Sequence, residues 1–188
     1  MKNNNMKFVS IDPSLRNTGI VWGDIVDGKV VPTGYFLGRT DKDKTYSAAG
    51  DTIRRCKYLL AHVRRVIDMI KPDVCFAEAP SGSQSASAMK GYGISCAVIS
   101  SMSPDAIEVT PFQIKKEVNG TRSATKEEVM EFVENMFPTF PFDRNKKGEL
   151  VKTKMEHICD AICAAVVGVK DPRFKEIEKQ YNLIQNEH

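Results

Sequence analysis

Hydrophobic and polar residues recur along the first part of the chain with the short period of β-strands. Apolar or alternating segments at residues 7–11, 19–26 and 30–37 predict three strands. The Asp-Gly pair at residues 27–28 predicts a tight hairpin between the second and third strands. Pro32 indicates that the third strand lies at a sheet edge or contains a bulge. The chain is therefore predicted to open with an antiparallel meander.

Beyond residue 50 the apolar positions recur every three or four residues. This spacing predicts a helix over residues 51–70, which Pro72 ends. Residues 73–79 predict a fourth strand and residues 107–109 a short fifth one. Between them, residues 81–93 are rich in small side chains and predict a loop that leads into a helix continuing over residues 94–102.

The last third of the chain is predicted to be helical around one long loop. A short helix is expected over residues 112–118, and Thr125 with Glu128 has the spacing of a capping box that opens a helix ending at Met136. Residues 137–154 predict a loop, residues 154–169 a final helix, and the remainder a polar tail. This order predicts a single α/β domain over residues 1–188, with a mixed five-stranded sheet and helices on both faces.

Composition adds that the chain is expected to be a reduced, cytoplasmic globular protein. It has 188 residues, 41% of them hydrophobic, and a net charge of +3 from 27 basic and 24 acidic residues, so the total charge does not by itself indicate a nucleic-acid ligand. The five cysteines form no C-x-x-C motif. We see neither an apolar signal segment nor an uncharged run of about 20 residues that could span a membrane.

Four polar residues in apolar surroundings suggest the chemistry. Asp12 and Glu78 end two apolar strands, and His157 and Asp160 are three residues apart, on one face of the apolar final helix. A buried charge requires a compensating partner. We predict that these four residues hold divalent metal, Mg²⁺ or Mn²⁺, for which carboxylate oxygens are suitable ligands. Two ions about 4 Å apart would suit phosphodiester hydrolysis; Glu156 could join them or face water.

Each of these residues also has an ordinary structural interpretation. Asp12 could bond to its own backbone in a turn, Glu78 could be a simple strand-end residue, and His157 could be a satisfied core histidine. Asp160 is harder to explain in this way because its helix is so apolar. Four separate explanations would be needed together, which favours the metal site.

The same segments resemble a known family in order and spacing. "IDPSLRNTGIVW" is similar to the first strand and turn of RuvC-type Holliday junction resolvases, "DVCFAEAP" to their second acidic strand, and "EHICDAICAA" to their closing helix. "FQIKKEVNGTRSATKEEV" resembles the family segment that carries two lysines. The resemblance covers nearly the whole chain. Within the family, this chain looks similar to the short, divergent bacteriophage members.

The resemblance implies an RNase H-like fold and a homodimeric, Mg²⁺-dependent nuclease acting on branched DNA in a bacterial or phage-infected cell. It assigns the catalytic and metal-binding positions to Asp12, Glu78, His157 and Asp160. Lys115 and Lys126 match the family's lysines near DNA phosphate, and Lys116 and Arg122 extend the basic group. The small-residue helix near residues 91–102 is either a dimer interface or ordinary core.

Two positions depart from the family pattern, and two other functions compete with it. Ser14 replaces a glycine of the bacterial pattern, and Ser81 stands where many members have an aromatic wedge, with no aromatic before Tyr92. Such a chain is expected to cut a wider range of branched DNA.

The alternative functions are a non-catalytic binder of branched DNA and an actin-like ATPase. The ATPase fold is duplicated, and 188 residues are too few for two copies.

A loop over residues 143–154 is a further basic segment, with five lysines and arginines against two acidic residues. It could follow a DNA backbone, or it could be a solvated loop. A zinc site built from His157, Cys159 and Cys163 is disfavoured because these side chains point to different sides of one helix.

Overall fold

One mixed sheet of five strands forms the centre of the molecule. The computed structural model describes residues 5–82 and 85–186. Within them the strands lie in the order β3-β2-β1-β4-β5. Strands β1 to β3 are antiparallel, whereas β4 runs parallel to β1 and β5 runs parallel to β4. The strand bounds are β1 (Met6–Asp12), β2 (Asn17–Val26), β3 (Lys29–Arg39), β4 (Val74–Glu78) and β5 (Ala106–Val109).

The meander forms where the turn chemistry predicts it. Asp27 and Gly28 both have positive φ, 50° and 71°, which is the backbone of a two-residue hairpin matched to the twist of its strands. Pro32 lies on the edge strand β3, next to the register shift at Trp22 and Gly23. Both interpretations of this proline are confirmed, since the edge position and the irregular pairing occur together.

Helices cover both faces of the sheet, as predicted. The Thr125 side chain accepts a hydrogen bond from the Glu128 backbone and the Glu128 side chain accepts one from the Thr125 backbone, so the predicted capping box is present. No helix in the described residues combines the length and the apolar character needed to cross a membrane. The helices are α1 (Ala48–Ile70), α2 (Ala86–Ile99), α3 (Pro111–Asn119), α4 (Lys126–Met136), α5 (Lys152–Gly168) and α6 (Pro172–Asn186).

The sheet separates two hydrophobic cores. The larger core packs α5 and its neighbours α3 and α4 against residues such as Phe8 and Phe76. The smaller core packs α1 and α2 against the alternate residues Val9 and Ile11 of β1. Strand β1 is thus apolar on both sides, which explains its continuous run of apolar residues.

One prediction about the helices is wrong, and another is confirmed. The expected polar tail is helix α6, because Phe174 is buried in the larger core and Tyr181 donates a hydrogen bond to the Asn5 carbonyl. The segment at residues 81–93 does lead into a helix as predicted, because α2 begins at Ala86, capped by the Ser85 side chain. Residues 83 and 84 of that predicted loop lie outside the described residues.

Candidate active site

Asp12 and Glu78 lie at the same edge of the sheet. Strands β1 and β4 are adjacent and parallel, and Ile11 is paired with Ala77, so the next residue of each strand is an acid. The carboxyl ends of parallel strands meet along one side of a sheet. The two carboxylates that the sequence singled out are therefore placed side by side by strand register alone.

Helix α5 brings the remaining two residues to this edge. One ligand atom from each of Asp12, His157 and Asp160 lies within 4.8 Å of the others. His157 Nδ1 is 2.5 Å from Asp12 Oδ2. The three-residue spacing on α5 thus aims both side chains at the end of β1, as predicted. Three of the four predicted ligands form one group in which a single cation could be held.

Gly19 permits this approach of helix to sheet. It is paired with Asp12 in the β1–β2 register, and a Cβ built on it would lie 2.2 Å from the His157 carbonyl oxygen. Any larger residue would therefore displace the segment of α5 that carries His157. The role of Gly19 was not predicted, because it depends on contact with a helix far away in the chain.

Glu78 lies beside the group of three, and one of its carboxylate oxygens has no partner in the described part of the chain. Its Oε2 atom is buried and has no hydrogen-bond partner among residues 5–82 and 85–186. Burial first, and then the nearby carboxylates of Asp12 and Asp160, together raise the pKa of Glu78 to about 9. A bound divalent cation would satisfy an unpartnered carboxylate oxygen of this kind.

Asp160 is in a similar electrostatic position. Burial and the Asp12 carboxylate raise its pKa to about 7, while His157, Lys126 and Lys115 act in the opposite direction. Three carboxylates in a mostly buried space repel one another unless positive charge joins them. The donor set, hard oxygens with one imidazole, fits Mg²⁺ or Mn²⁺.

Three side-chain hydrogen bonds hold the turn after Asp12, two from within the turn and one from α2. Thr18 Oγ1 donates to the Ser14 carbonyl and Ser14 Oγ donates to the Asn17 carbonyl, within the turn itself. The buried Ser95 of α2 donates from Oγ to the Pro13 carbonyl at 2.7 Å. Ser14 has no positive φ, so this turn does not require the glycine of the bacterial pattern.

The side chains of Thr40 and Arg55 hold the turn from its other side. Thr40 Oγ1 and an Arg55 guanidinium N–H both donate to the Leu15 carbonyl, and Arg55 Nε donates to Thr40 Oγ1. The buried Asp51 forms an ion pair with Arg55. These positioning contacts were not predicted, since nothing in the local sequence links residues so far apart.

The predicted basic residues differ in their surroundings. Lys115 and Lys126 are close enough to lower the pKa of Glu78 and of Asp160. Lys126 also forms an ion pair with Glu156, which gives Glu156 a partner outside the group of three. Lys116 is exposed, and the Arg122 guanidinium lies over the Phe112 ring.

The basic loop at residues 143–154 is largely neutralised by ion pairs. Its three pairs are Arg144–Glu134, Lys152–Glu127 and Lys154–Asp143. Only Lys146 and Lys147 of its five cations have no ion pair among the described residues. The charge of this loop is thus mostly committed within the protein.

An open cleft lies against the carboxylates. Its volume is about 620 Å³, and Asp12 and Glu78 lie on its wall together with Ser81, Tyr92 and Pro111. The cleft is accessible to a large ligand, because it opens toward solvent beside helix α2. The mixed sheet in this strand order, with acids at the ends of β1 and β4 and on α5, agrees with the RNase H-like arrangement that the family resemblance implies.

The comparisons with known proteins identify the family. A family model described as "Crossover junction endodeoxyribonuclease RuvC" matches residues 8–168. The chain belongs to the RuvC family of crossover junction endodeoxyribonucleases. It is 26% identical to the protein of this name from Bordetella avium, over 92% of this chain and 90% of that one, and 26% identical to the one from Hydrogenovibrio crunogenus, over 85% of each chain.

Solved structures agree with the fold. The chain is similar to T. thermophilus RuvC in complex with a Holliday junction substrate, with a TM-score of 0.63 and 18% identity over 86% of this chain and 92% of that one. It is also similar to the yeast mitochondrial Holliday junction resolvase Ydc2, with a TM-score of 0.53 and 10% identity over 96% of this chain and 86% of that one. The predicted RNase H-like fold and resolvase family are confirmed.

Proposed function

We propose that this protein is a divalent-metal-dependent endonuclease that hydrolyses phosphodiester bonds at four-way or other branched DNA junctions. The observation that carries the proposal is the convergence of Asp12, His157 and Asp160 next to the unpartnered buried oxygen of Glu78. Membership of the RuvC family supports the reaction and the class of substrate. Such an enzyme would act in the cytoplasm, where bacterial or phage DNA is processed.

The four residues have distinct tasks in this proposal. Asp12 would hold metal together with Asp160, Glu78 would provide a further carboxylate oxygen, and His157 orients Asp12 through the Nδ1 contact. Bound Mg²⁺ or Mn²⁺ supplies Lewis acidity that activates a water and stabilises the leaving oxygen. The side chains themselves hold the geometry and keep the Asp12 oxygens facing the cleft.

Cations beside the carboxylates allow a polyanion to approach them. The charge of Lys115 lowers the pKa of Glu78 and of Asp160, and Lys115 has no ion pair in the described part of the chain, so it is free to contact a phosphate. Lys126 is held by Glu156 and would contact DNA only by exchanging that partner. Lys116 and Arg122 extend the positive surface along α3 and the turn that follows it.

A homodimer is part of the same proposal. A two-fold axis would present two identical clefts to the two strands of a symmetric junction, giving paired cuts. Helix α2 supports this because Met89 and Tyr92 are exposed on it beside the cleft. Analytical ultracentrifugation of the purified chain tests the stoichiometry.

A cleavage assay tests the function. We would compare four-way junctions, flaps, Y-forks and linear duplex with Mg²⁺, Mn²⁺ or EDTA, using the parent chain, Asp12→Asn, and Asp68→Asn as an exposed acid on α1 far from the cleft. We expect the parent and Asp68→Asn to cut branched DNA, and Asp12→Asn to bind it but to cut at least about 10³-fold more slowly. Binding without cutting by the parent would favour a non-catalytic junction binder, and ATP turnover without DNA would favour the ATPase alternative.

A further inference from the structure

Phe112 and Arg122 form a stacked pair on the surface beside the cleft. The Phe112 side chain is 41% exposed, although it is large and apolar. The Arg122 guanidinium carbon lies 4.6 Å from the centre of its ring. Such a cation–π pair presents a flat, partly apolar and positively charged surface to solvent. The catalytic residues do not use this surface, and it requires an explanation of its own.

The pair lies close to the acidic residues along the chain. Val109 of β5 is paired with Glu78 in the sheet register, and Phe112 is three residues further on, in the first turn of α3. Three residues span at most about 11 Å. Pro111, the residue before Phe112, lines the cleft with Asp12 and Glu78. Because paired strands lie about 4.8 Å apart, the Phe112 Cα is within about 16 Å of the Glu78 Cα, which corresponds to about five base steps at about 3.4 Å per step.

Both ends of the pair are held rigidly. A capping box joins Thr110 and Gln113 at the start of α3, which fixes the turn that carries Phe112. At the other end, Gly120 has φ of 75° and Asn119 Oδ1 accepts hydrogen bonds from the backbone and side chain of Thr121. The turn beside Arg122 is thereby ordered, so little conformational entropy remains to be lost when a ligand stacks on the pair.

The cations around the pair have no ion-pair partners in the described part of the chain. Among residues 5–82 and 85–186, Lys115, Lys116 and Arg122 have no ion-pair partner, whereas Lys126, Lys152 and Lys170 each have one. Lys115 and Lys116 lie three and four residues after Phe112 and therefore share its side of the helix. An aromatic face next to free cations is the arrangement that binds a base and its phosphates together.

We propose that Phe112 and Arg122 form a stacking platform for one unpaired nucleobase of the branched DNA, within about five steps of the scissile phosphate. This proposal rests on the proposed function, because it concerns the same branched DNA substrate. A branched junction can supply an unpaired base at its crossover, whereas an intact duplex keeps its bases stacked on one another. The platform would therefore favour branched over linear DNA.

Photocrosslinking tests the platform independently of cutting. In the Asp12→Asn background, four-way junctions would carry 5-iododeoxyuridine at successive positions around the crossover, and the crosslinked residue would be identified by mass spectrometry. We expect a crosslink to Phe112 from one position. Phe112→Leu, which keeps an apolar side chain without the ring, should weaken junction binding roughly 5- to 150-fold, and Phe112→Trp should retain it.

Matched variants separate stacking from charge and from folding. Arg122→Lys keeps the charge, so it should leave the salt dependence of binding unchanged while weakening junction affinity. Tyr46→Ala is the control, because Tyr46 is also exposed beneath an arginine, 5.6 Å from Arg54, but precedes α1 and has no cleft-lining residue next to it in the chain, whereas Phe112 directly follows Pro111. It should bind as the parent does. Thermal melting would establish that each variant is folded.

Three results would overturn the platform. They are a crosslink to Tyr92 instead of Phe112, no crosslink at all, and a junction affinity of Phe112→Leu within about two-fold of that of the parent. These results are distinguishable from failure of the proposed function. If the parent cuts branched DNA and Phe112→Leu binds it equally well, only the platform is wrong. If Phe112 crosslinks but the parent never cuts, only the nuclease assignment is wrong.

Discussion

His157 Nδ1 lies 2.5 Å from Asp12 Oδ2, which joins the first strand to the last long helix across 145 residues of sequence. An ionised carboxylate can only accept, so the imidazole donates from Nδ1 and its Nε2 lone pair is left for a cation or a water. The contact therefore orients both side chains at once. It also explains why a histidine can stand in a group otherwise built of carboxylates.

This geometry predicts that position 157 requires a side chain that can contact Asp12 or bind metal, and that this side chain need not be an imidazole. His157→Ala should lower kcat by about 10- to 100-fold, because Asp12 loses the group that orients it. His157→Asp should retain measurable cutting, since a carboxylate can serve as a ligand from the same helix position. Single-turnover cleavage of a four-way junction with Mg²⁺ and Mn²⁺ measures both. Equal activity of His157→Ala and the parent would contradict the assignment.

Gly19 gives a prediction about packing. A Cβ at this position would lie 2.2 Å from the His157 carbonyl oxygen, and backbone atoms on both sides can yield little. Gly19→Ala should therefore destabilise the fold by about 1–3 kcal/mol and reduce cutting by moving α5 away from Asp12. Urea unfolding and cleavage rates measure the two effects.

Gly93→Ala is the matched control for that change. Gly93 lies inside α2, and a Cβ there would meet nothing within 4 Å. The substitution should stabilise the helix by roughly 0.5–1 kcal/mol, because glycine is a poor helix former. If both alanine variants behaved alike, close packing at Gly19 would not be what positions α5.

Ser95 gives a prediction about the turn after Asp12. Its buried Oγ donates to the Pro13 carbonyl, and removal of that donor leaves the carbonyl without this bond. Ser95→Ala should cost about 1–3 kcal/mol of stability and weaken Mn²⁺ binding, because Pro13 directly follows Asp12. Ser100→Ala is the control, since the Ser100 hydroxyl bonds to the exposed Ala97 carbonyl within the end of α2. Calorimetric titration with Mn²⁺ would show no difference between the variants if Ser95 only stabilises the helix.

The local features of the fold could be predicted from sequence. Asp27 and Gly28 define the hairpin, Pro32 marks the edge strand, and Thr125 with Glu128 starts a helix, because each acts through its own neighbours. Helix α6 was missed because most of its residues are polar and only Phe174 is fully buried in the core. The spacing of Phe174, Ile177 and Tyr181, three and four residues apart, was the signal that could have indicated it.

The site could be predicted only as a set of candidate ligands. Asp12, His157 and Asp160 are polar residues in apolar segments, so burial cost alone draws attention to them. The residues that support them act across the fold: Gly19 by close approach to α5, and Ser95, Thr40 and Arg55 through bonds to the turn. Such contacts depend on how distant elements pack, which the pattern along one segment does not contain.

The raised pKa of Glu78 predicts an unusual dependence of the free energy of unfolding on pH. The pKa of its carboxyl is about 9 in the fold without metal, against about 4.3 in an unfolded chain. Between these values the folded state binds more protons than the unfolded state, so the free energy of unfolding falls as pH rises. Asp160, with a pKa raised to about 7, acts in the same direction. The carboxyls of Asp51, Asp143 and Asp171 have lowered pKa values, so their contribution is lost only in acid, outside this window.

Metal should reverse that trend. A divalent cation binds the deprotonated carboxylates, so its affinity, and with it the stabilisation of the fold, increases with pH. Melting temperatures measured from pH 5 to pH 9 should fall in EDTA and diverge upward from that curve in Mn²⁺. Glu78→Gln should flatten the EDTA curve, whereas Glu131→Gln, an exposed change on α4, should leave it unaltered. A melting temperature in EDTA that rises steadily from pH 5 to pH 9 would mean that Glu78 already has a compensating partner, and the site would then have no need of a cation.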